Sequence, residues 1–131
     1  MRVLICGSRD WIDREAIRSW LSKLQDWGYD TVVEGEAKGA DSIARDEAKA
    51  MGFKVIPFVA QWGEYHKAAG VIRNQQMLDE GKPSLVLFFH YNLQQSKGTK
   101  DMVDRARRAG IQVIDGQSTS SKQQQQRTSS T

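Results

Sequence analysis

Arg2-Val3-Leu4-Ile5-Cys6-Gly7-Ser8-Arg9-Asp10-Trp11 decides the fold. Val3 to Cys6 are apolar without a break, so they lack the alternation of a strand with one wet face. Such a short run, stopped by glycine, reads as a strand buried on both sides. Ile17, Trp20, Leu21 and Leu24 then recur at helical spacing, with Asp13 placed as N-cap and Gly28 as the stop. A buried strand, a polar turn and an amphipathic helix open a parallel α/β sheet.

The same alternation continues outward along the chain. A short strand begins at Thr31, and Ala40, Ile43, Ala44, Ala48 and Met51 form a second helical stripe closed by Gly52. Residues 54–59 (KVIPFV) read as a third strand, which Pro57 assigns to a sheet edge. A helix is expected over 67–80, a fully buried strand over 84–89, a helix around Thr99, Met102, Val103 and Ala106, and a last strand over 111–114. The predicted architecture is α/β: a single Rossmann-like three-layer domain over residues 1–115, with a central, mostly parallel sheet of about five strands. Residues 116–131 (GQSTSSKQQQQRTSST) have almost nothing to bury and read as a disordered polar tail rich in Gln, Ser and Thr.

In such a sheet, ligands bind beyond the carboxyl ends of the strands, where helix N-termini offer free N–H groups. The strand-to-helix loops are therefore where chemistry is sought. In the first, Gly7 permits a tight turn, Ser8 can donate to phosphate or ribose, and Arg9 can clamp an anion. Asp10 either accepts from ribose hydroxyls or caps the helix, and Trp11 either offers a face to a base or packs on the protein. The second loop, Glu34-Gly35-Glu36-Ala37-Lys38-Gly39-Ala40-Asp41, has two glycines four apart, which let backbone approach a ligand, though it is neither GxGxxG nor a Walker A motif. Asp41 is alternatively a plain helix N-terminal carboxylate. The third loop is aromatic-rich (Trp62, Tyr65) and leads to Arg73-Asn74, a combination suited to a base and an anion, with Trp62 as core packing and Lys67 as solvated face the blander assignment. In the fourth, Ser96-Lys97-Gly98-Thr99 has the makings of a phosphate cradle, with N-capping by Thr99 the simpler alternative.

No metal is expected: His66 and His90 have no partner at ligand spacing, and one cysteine cannot make a zinc site. No nucleophile-elbow motif supports a Ser-His-Asp triad. Cys6, the single cysteine, excludes an internal disulfide and is expected buried in a central strand. No apolar run approaches the ~20 residues of a membrane span, and the N-terminal stretch is too short for a signal peptide; the expected location is cytoplasmic, with no membrane partner. Length and a 39% hydrophobic content fit one domain with a real core. The net charge is +3, but Lys122 and Arg127 in the tail supply two of these charges, so nucleic acid is not expected as a partner.

The runs Cys6-Gly7-Ser8-Arg9-Asp10-Trp11, Gly35 to Asp41, Ala68-Ala69-Gly70-Val71-Ile72-Arg73-Asn74-Gln75-Gln76-Met77-Leu78 and Ser96-Lys97-Gly98-Thr99-Lys100-Asp101-Met102, in that order, resemble the YspA-like SLOG family of the SMF/DprA-LOG superfamily. The resemblance covers about residues 1–115. It implies a Rossmann-like fold that binds (senses or sequesters) a nucleotide-derived small molecule, ADP-ribose-like or cyclic-nucleotide-like, in a phage or prophage setting, as a homo-oligomer and with no cofactor. The ligand-binding set it suggests is Gly7, Ser8, Arg9, Asp10, Trp11, Gly35, Glu36, Ala37, Lys38, Gly39, Asp41, Arg73, Asn74, Ser96, Lys97, Gly98 and Thr99. The alternative is a LOG-like N-glycosidase or phosphoribohydrolase. LOG enzymes carry Pro-Gly-Gly-x-Gly-Thr-x-x-Glu; Gly98-Thr99 match its end and Arg73 resembles the LOG arginine, but the glutamate falls on Met102. That substitution weighs toward binding without turnover. Asp101, adjacent to Met102, is rotated about 100° on the helix and should point elsewhere. A DNA-binding module of the DprA kind is the third and least favoured class.

Overall fold

A computed structural model describes residues 1–117. Five strands, β1 (Arg2–Gly7), β2 (Thr31–Glu34), β3 (Lys54–Pro57), β4 (Leu85–Phe89) and β5 (Gln112–Asp115), form one sheet in the order β3-β2-β1-β4-β5. Every pairing is parallel, with Leu4 opposite Val33 on one side and Val86 on the other. The chain winds outward from β1 to β3, then crosses back to β4. The order therefore reverses between β1 and β4, and a crevice forms at their carboxyl ends.

Period-two alternation divides the core between the two faces. Val3, Ile5, Val32, Leu85, Leu87 and Phe89 pack with Ile17, Leu21 and Leu24 of α1 (Arg14–Asp26) and Ile43, Ala44 and Ala48 of α2 (Ala40–Ala50). Leu4, Cys6, Val33, Val86 and Phe88 pack with Met77 and Leu78 of α4 (Ala69–Gly81) and Met102, Val103 and Ala106 of α5 (Gly98–Arg108). Asp13 caps α1, its Oδ1 accepting from Ala16 N at 3.1 Å, and Gly28 follows the helix at φ +93°. The edge position read from Pro57 holds for β3, although the strand stops at Pro57 and leaves Val59 exposed.

Most strand ends fall within a residue or two of expectation; the larger differences lie before α4 and after β5. The loop before Arg73 contains a one-turn helix, α3 (Trp62–Tyr65), and a 3-10 turn (His66–Ala68), too short for periodicity to reveal. His66 at φ +51° separates them, and the expected helix begins at Ala69 rather than 67. At the other end Gly116, read as the first tail residue, is docked: its N donates to Phe88 O at 2.8 Å and its O accepts from buried Trp20 Nε1 at 2.9 Å. The rest of the predicted tail, from 118 on, lies outside the described residues. Among the described residues no helix is long and apolar enough to cross a membrane.

Candidate functional site

The β1 loop and the start of α2 are built against each other. Ser8 O accepts from both Trp11 N (3.2 Å) and Ala40 N (3.1 Å). Gly39 sits at φ +76°, and a Cβ there would collide with the Ser8 and Arg9 carbonyls, so glycine is required twice over. Ser8 is buried, and its Oγ accepts from Asp10 N at 3.0 Å. Asp10 is therefore held by the turn, and Asp13 has the capping role.

Arg73 reaches from α4 across the end of β2. Its Nη1 donates to Gly35 O at 2.6 Å, and a Cβ on Gly35 would lie 2.7 Å from that nitrogen and 2.9 Å from Asp41 Oδ2. Glycine at 35 leaves the space through which the guanidinium passes. Asp41 is buried, and its Oδ2 accepts from Gly35 N (3.1 Å) and Ala37 N (3.3 Å). Burial pushes its pKa up to about 6, held from going further by Arg73 and the two N–H donors.

Two adjoining cavities open here. The larger, about 550 Å³, lies beyond β1 and β4, with Cys6 and Met102 toward the core, Arg73 on the α4 side and Ser96 to Thr99 at the start of α5. The smaller, about 440 Å³, lies beyond β2, against Gly35, Glu36, Ala37 and Lys38. Arg9, Asp10, Ala37, Trp62 and Arg73 line both. Cys6 keeps its proton over a wider range than a free thiol because it is buried and faces Asp41.

Most of the residues singled out in the sequence line these cavities, but Trp11 and Gly39 do not, and Asn74 and Thr99 do so in roles other than those expected. Trp11 is not available to a base. It is 3% exposed, stacked on Tyr91 (centroids 4.7 Å, planes 27° apart), tilted against Phe89, and donates from Nε1 to Asp13 O. Asn74 is a strut: Nδ2 donates to Gly98 O (3.1 Å) and Asp101 Oδ2 (3.0 Å), tying α4 to the start of α5 and engaging both amide hydrogens. Thr99 is not the cap of α5; its N donates to Ser96 Oγ at 3.0 Å, so Ser96 has that part. Asp101, turned away as expected, is engaged by Asn74 and by Arg105 Nε at 2.8 Å.

Trp62, Lys67 and His90 also line the larger cavity; the loops that carry them stand out in the sequence, but the ligand-binding set does not include them. Their shared signal is position, in loops that leave the carboxyl ends of β3 and β4. Glu34, read as the first residue of the second loop, belongs to the sheet. It ends β2 fully buried, Oε1 accepting from Glu36 N at 2.7 Å and Oε2 having no donor in reach. Burial, and then the neighbouring Glu36 carboxylate, push the Glu34 pKa up to about 9. Glu36, at φ +57°, is shifted the other way by Glu34 and by Arg45 at 3.3 Å. Among the described residues no group of three or more His, Cys, Asp or Glu side chains is placed to hold a metal ion.

Comparison with known proteins agrees with this architecture. The model of the YspA, cpYpsA-related SLOG family matches residues 1–65. Gene 61 protein of Mycobacterium phage D29 is 41% identical over 120 residues, covering 86% of this chain and 94% of that protein. The X-ray structure of DNA processing protein A (DprA) from Streptococcus pneumoniae superposes with a TM-score of 0.55 at 16% identity, over 88% of this chain and 59% of that one. The likeness to DprA is one of fold, and the chain spans well under two thirds of its length. With a parallel sheet reversing between β1 and β4, and the loop motifs gathered at that reversal, the chain belongs to the YspA, cpYpsA-related SLOG family.

Proposed function

We propose that the protein binds a phosphate-bearing, nucleotide-derived small molecule, ADP-ribose-like or cyclic-nucleotide-like, and holds it without turnover. One observation carries the reading: Arg9, Arg73 and the residues that open α5, Ser96 to Thr99, line a single cavity at the point where strand order reverses. Two guanidiniums and a helix N-terminus form a site for anionic oxygen. Ser8, Asp10 and Lys97 stand on the same wall and supply polar partners for ribose or phosphate. Met102, 1% exposed, stands where LOG enzymes carry glutamate and can neither stabilise an oxocarbenium ion nor activate water.

Hydrolysis of a nucleotide's glycosidic bond is the second reading, favoured by Asp41. Its carboxyl lines the larger cavity, and its pKa of about 6 lies near that of a useful general acid or base. Against this, Oδ2 is already engaged by two backbone N–H groups. The test is to incubate the protein with AMP and with ADP-ribose, measure binding by equilibrium dialysis and chromatograph the mixture. Binding with no free base released supports a binder. Release that disappears in Asp41→Asn establishes the hydrolase instead.

A further inference from the structure

We infer that Trp62 is the base-stacking residue of this site, so that the ligand includes a nucleobase and is not a bare sugar phosphate. The inference rests on the reading that the cavities bind a nucleotide-derived anion. Trp62 lines both cavities and is 48% exposed, whereas Trp11 and Trp20 are each 3% exposed. Trp11, the tryptophan nearest the β1 motif in sequence, has its ring taken up by Tyr91 and Phe89. The Arg9 guanidinium carbon lies 6.0 Å from the Trp62 ring centroid, within cation–π range. The far edge of the indole sits over Gly70, where even an added Cβ would lie 3.5 Å away, so the ring rests on the first turn of α4 without being wedged.

This placement has a chemical consequence. An indole that is half exposed and lines both cavities has a π face open to whatever fills them. Beside it stands a cation that lines both cavities, so a phosphate on Arg9 leaves the attached nucleoside within reach of the indole. Every nucleobase offers a π face, and stacking on tryptophan is favourable whichever base it is. Arg9 then serves phosphate and ring together, fixing the relative position of the two halves of the ligand. Trp62 acts on affinity through the base and Arg73 through the anion.

The test separates those halves. Equilibrium dialysis with AMP and with ribose 5-phosphate is run on wild type, Trp62→Phe and Trp62→Ala, with the fold of each checked by circular dichroism. Trp62→Ala is expected to lower AMP affinity roughly fivefold or more. Ribose 5-phosphate affinity should stay within about twofold, and Trp62→Phe should recover most of the AMP loss. Tryptophan emission of the wild type should fall on AMP addition, and respond less in Trp62→Phe. Equal losses for both probes would mean that the ring only shapes the cavity, and no loss for either would mean that it is a bystander; both overturn the inference and leave the anion site standing. Wild type that binds neither probe overturns the functional reading, and the inference with it.

Discussion

Glu34→Gln isolates the buried acid at the end of β2. The amide keeps Oε1 for Glu36 N and cannot ionise, so it stands for the neutral form at every pH. The sign follows from the direction of the shift. An acid whose folded pKa is raised from 4.5 to about 9 holds a proton that the unfolded chain has already lost throughout that interval. Wild-type stability is therefore greatest below the unfolded value and falls as pH rises toward the folded one. Each pH unit in the window costs up to about 1.4 kcal/mol. From about pH 6.5 to about pH 8.5 the loss is on the order of 2 kcal/mol, or roughly 6 °C in Tm for a domain of this size. Asp41 titrates below this window, and Cys6 adds a loss of its own only above it. Differential scanning fluorimetry of both proteins across the window should give a falling Tm for wild type and a flatter one for Glu34→Gln. Parallel profiles would refute the protonated-acid assignment.

Arg73→Ala should raise the Asp41 pKa beyond about 6, since the cation that offsets burial is gone. The variant should lose on the order of 1–2 kcal/mol at pH 8 and lie closer to wild type at pH 5, where both forms hold the proton, as read from urea melts at the two pH values. Gly39→Ala should cost on the order of 2–4 kcal/mol in the same assay, because a side chain at φ +76° meets the Ser8 and Arg9 backbone. Cys6, buried and driven to hold its proton, should react with a thiol reagent only slowly in the native protein and at once in denaturant; prompt native reaction would place it at the surface.

The sheet was legible because its signals are local. Val3 to Cys6 and Leu85 to Phe89 are continuous apolar runs, and each helix carries its stripe within its own sequence. What decided the site was not local. Trp11 has a plausible ligand face until Tyr91, eighty residues on, stacks against it. Arg73 finds Gly35 O across 38 residues, and Asn74 finds Gly98 and Asp101, contacts that exist only once α4 lies over β2 and beside α5. Glu34, read as a loop residue, lies in β2 and is fully buried, which nothing in its local sequence marks, since a glutamate at a strand end is ordinarily solvated. Trp62 stands in a loop whose aromatic character suggests a base, but α3 has four residues, too few for any periodicity to show which way its ring turns.

Titration calorimetry of ADP-ribose into wild type and into the Arg9→Ala, Arg73→Ala double variant tests the central claim most directly. Saturable one-site binding to wild type should weaken by more than about 1.5 kcal/mol per arginine removed, with the double variant still folded and no heat of a continuing reaction. Equal affinity in the two proteins would contradict it, because no anion would then be held where Arg9 and Arg73 meet.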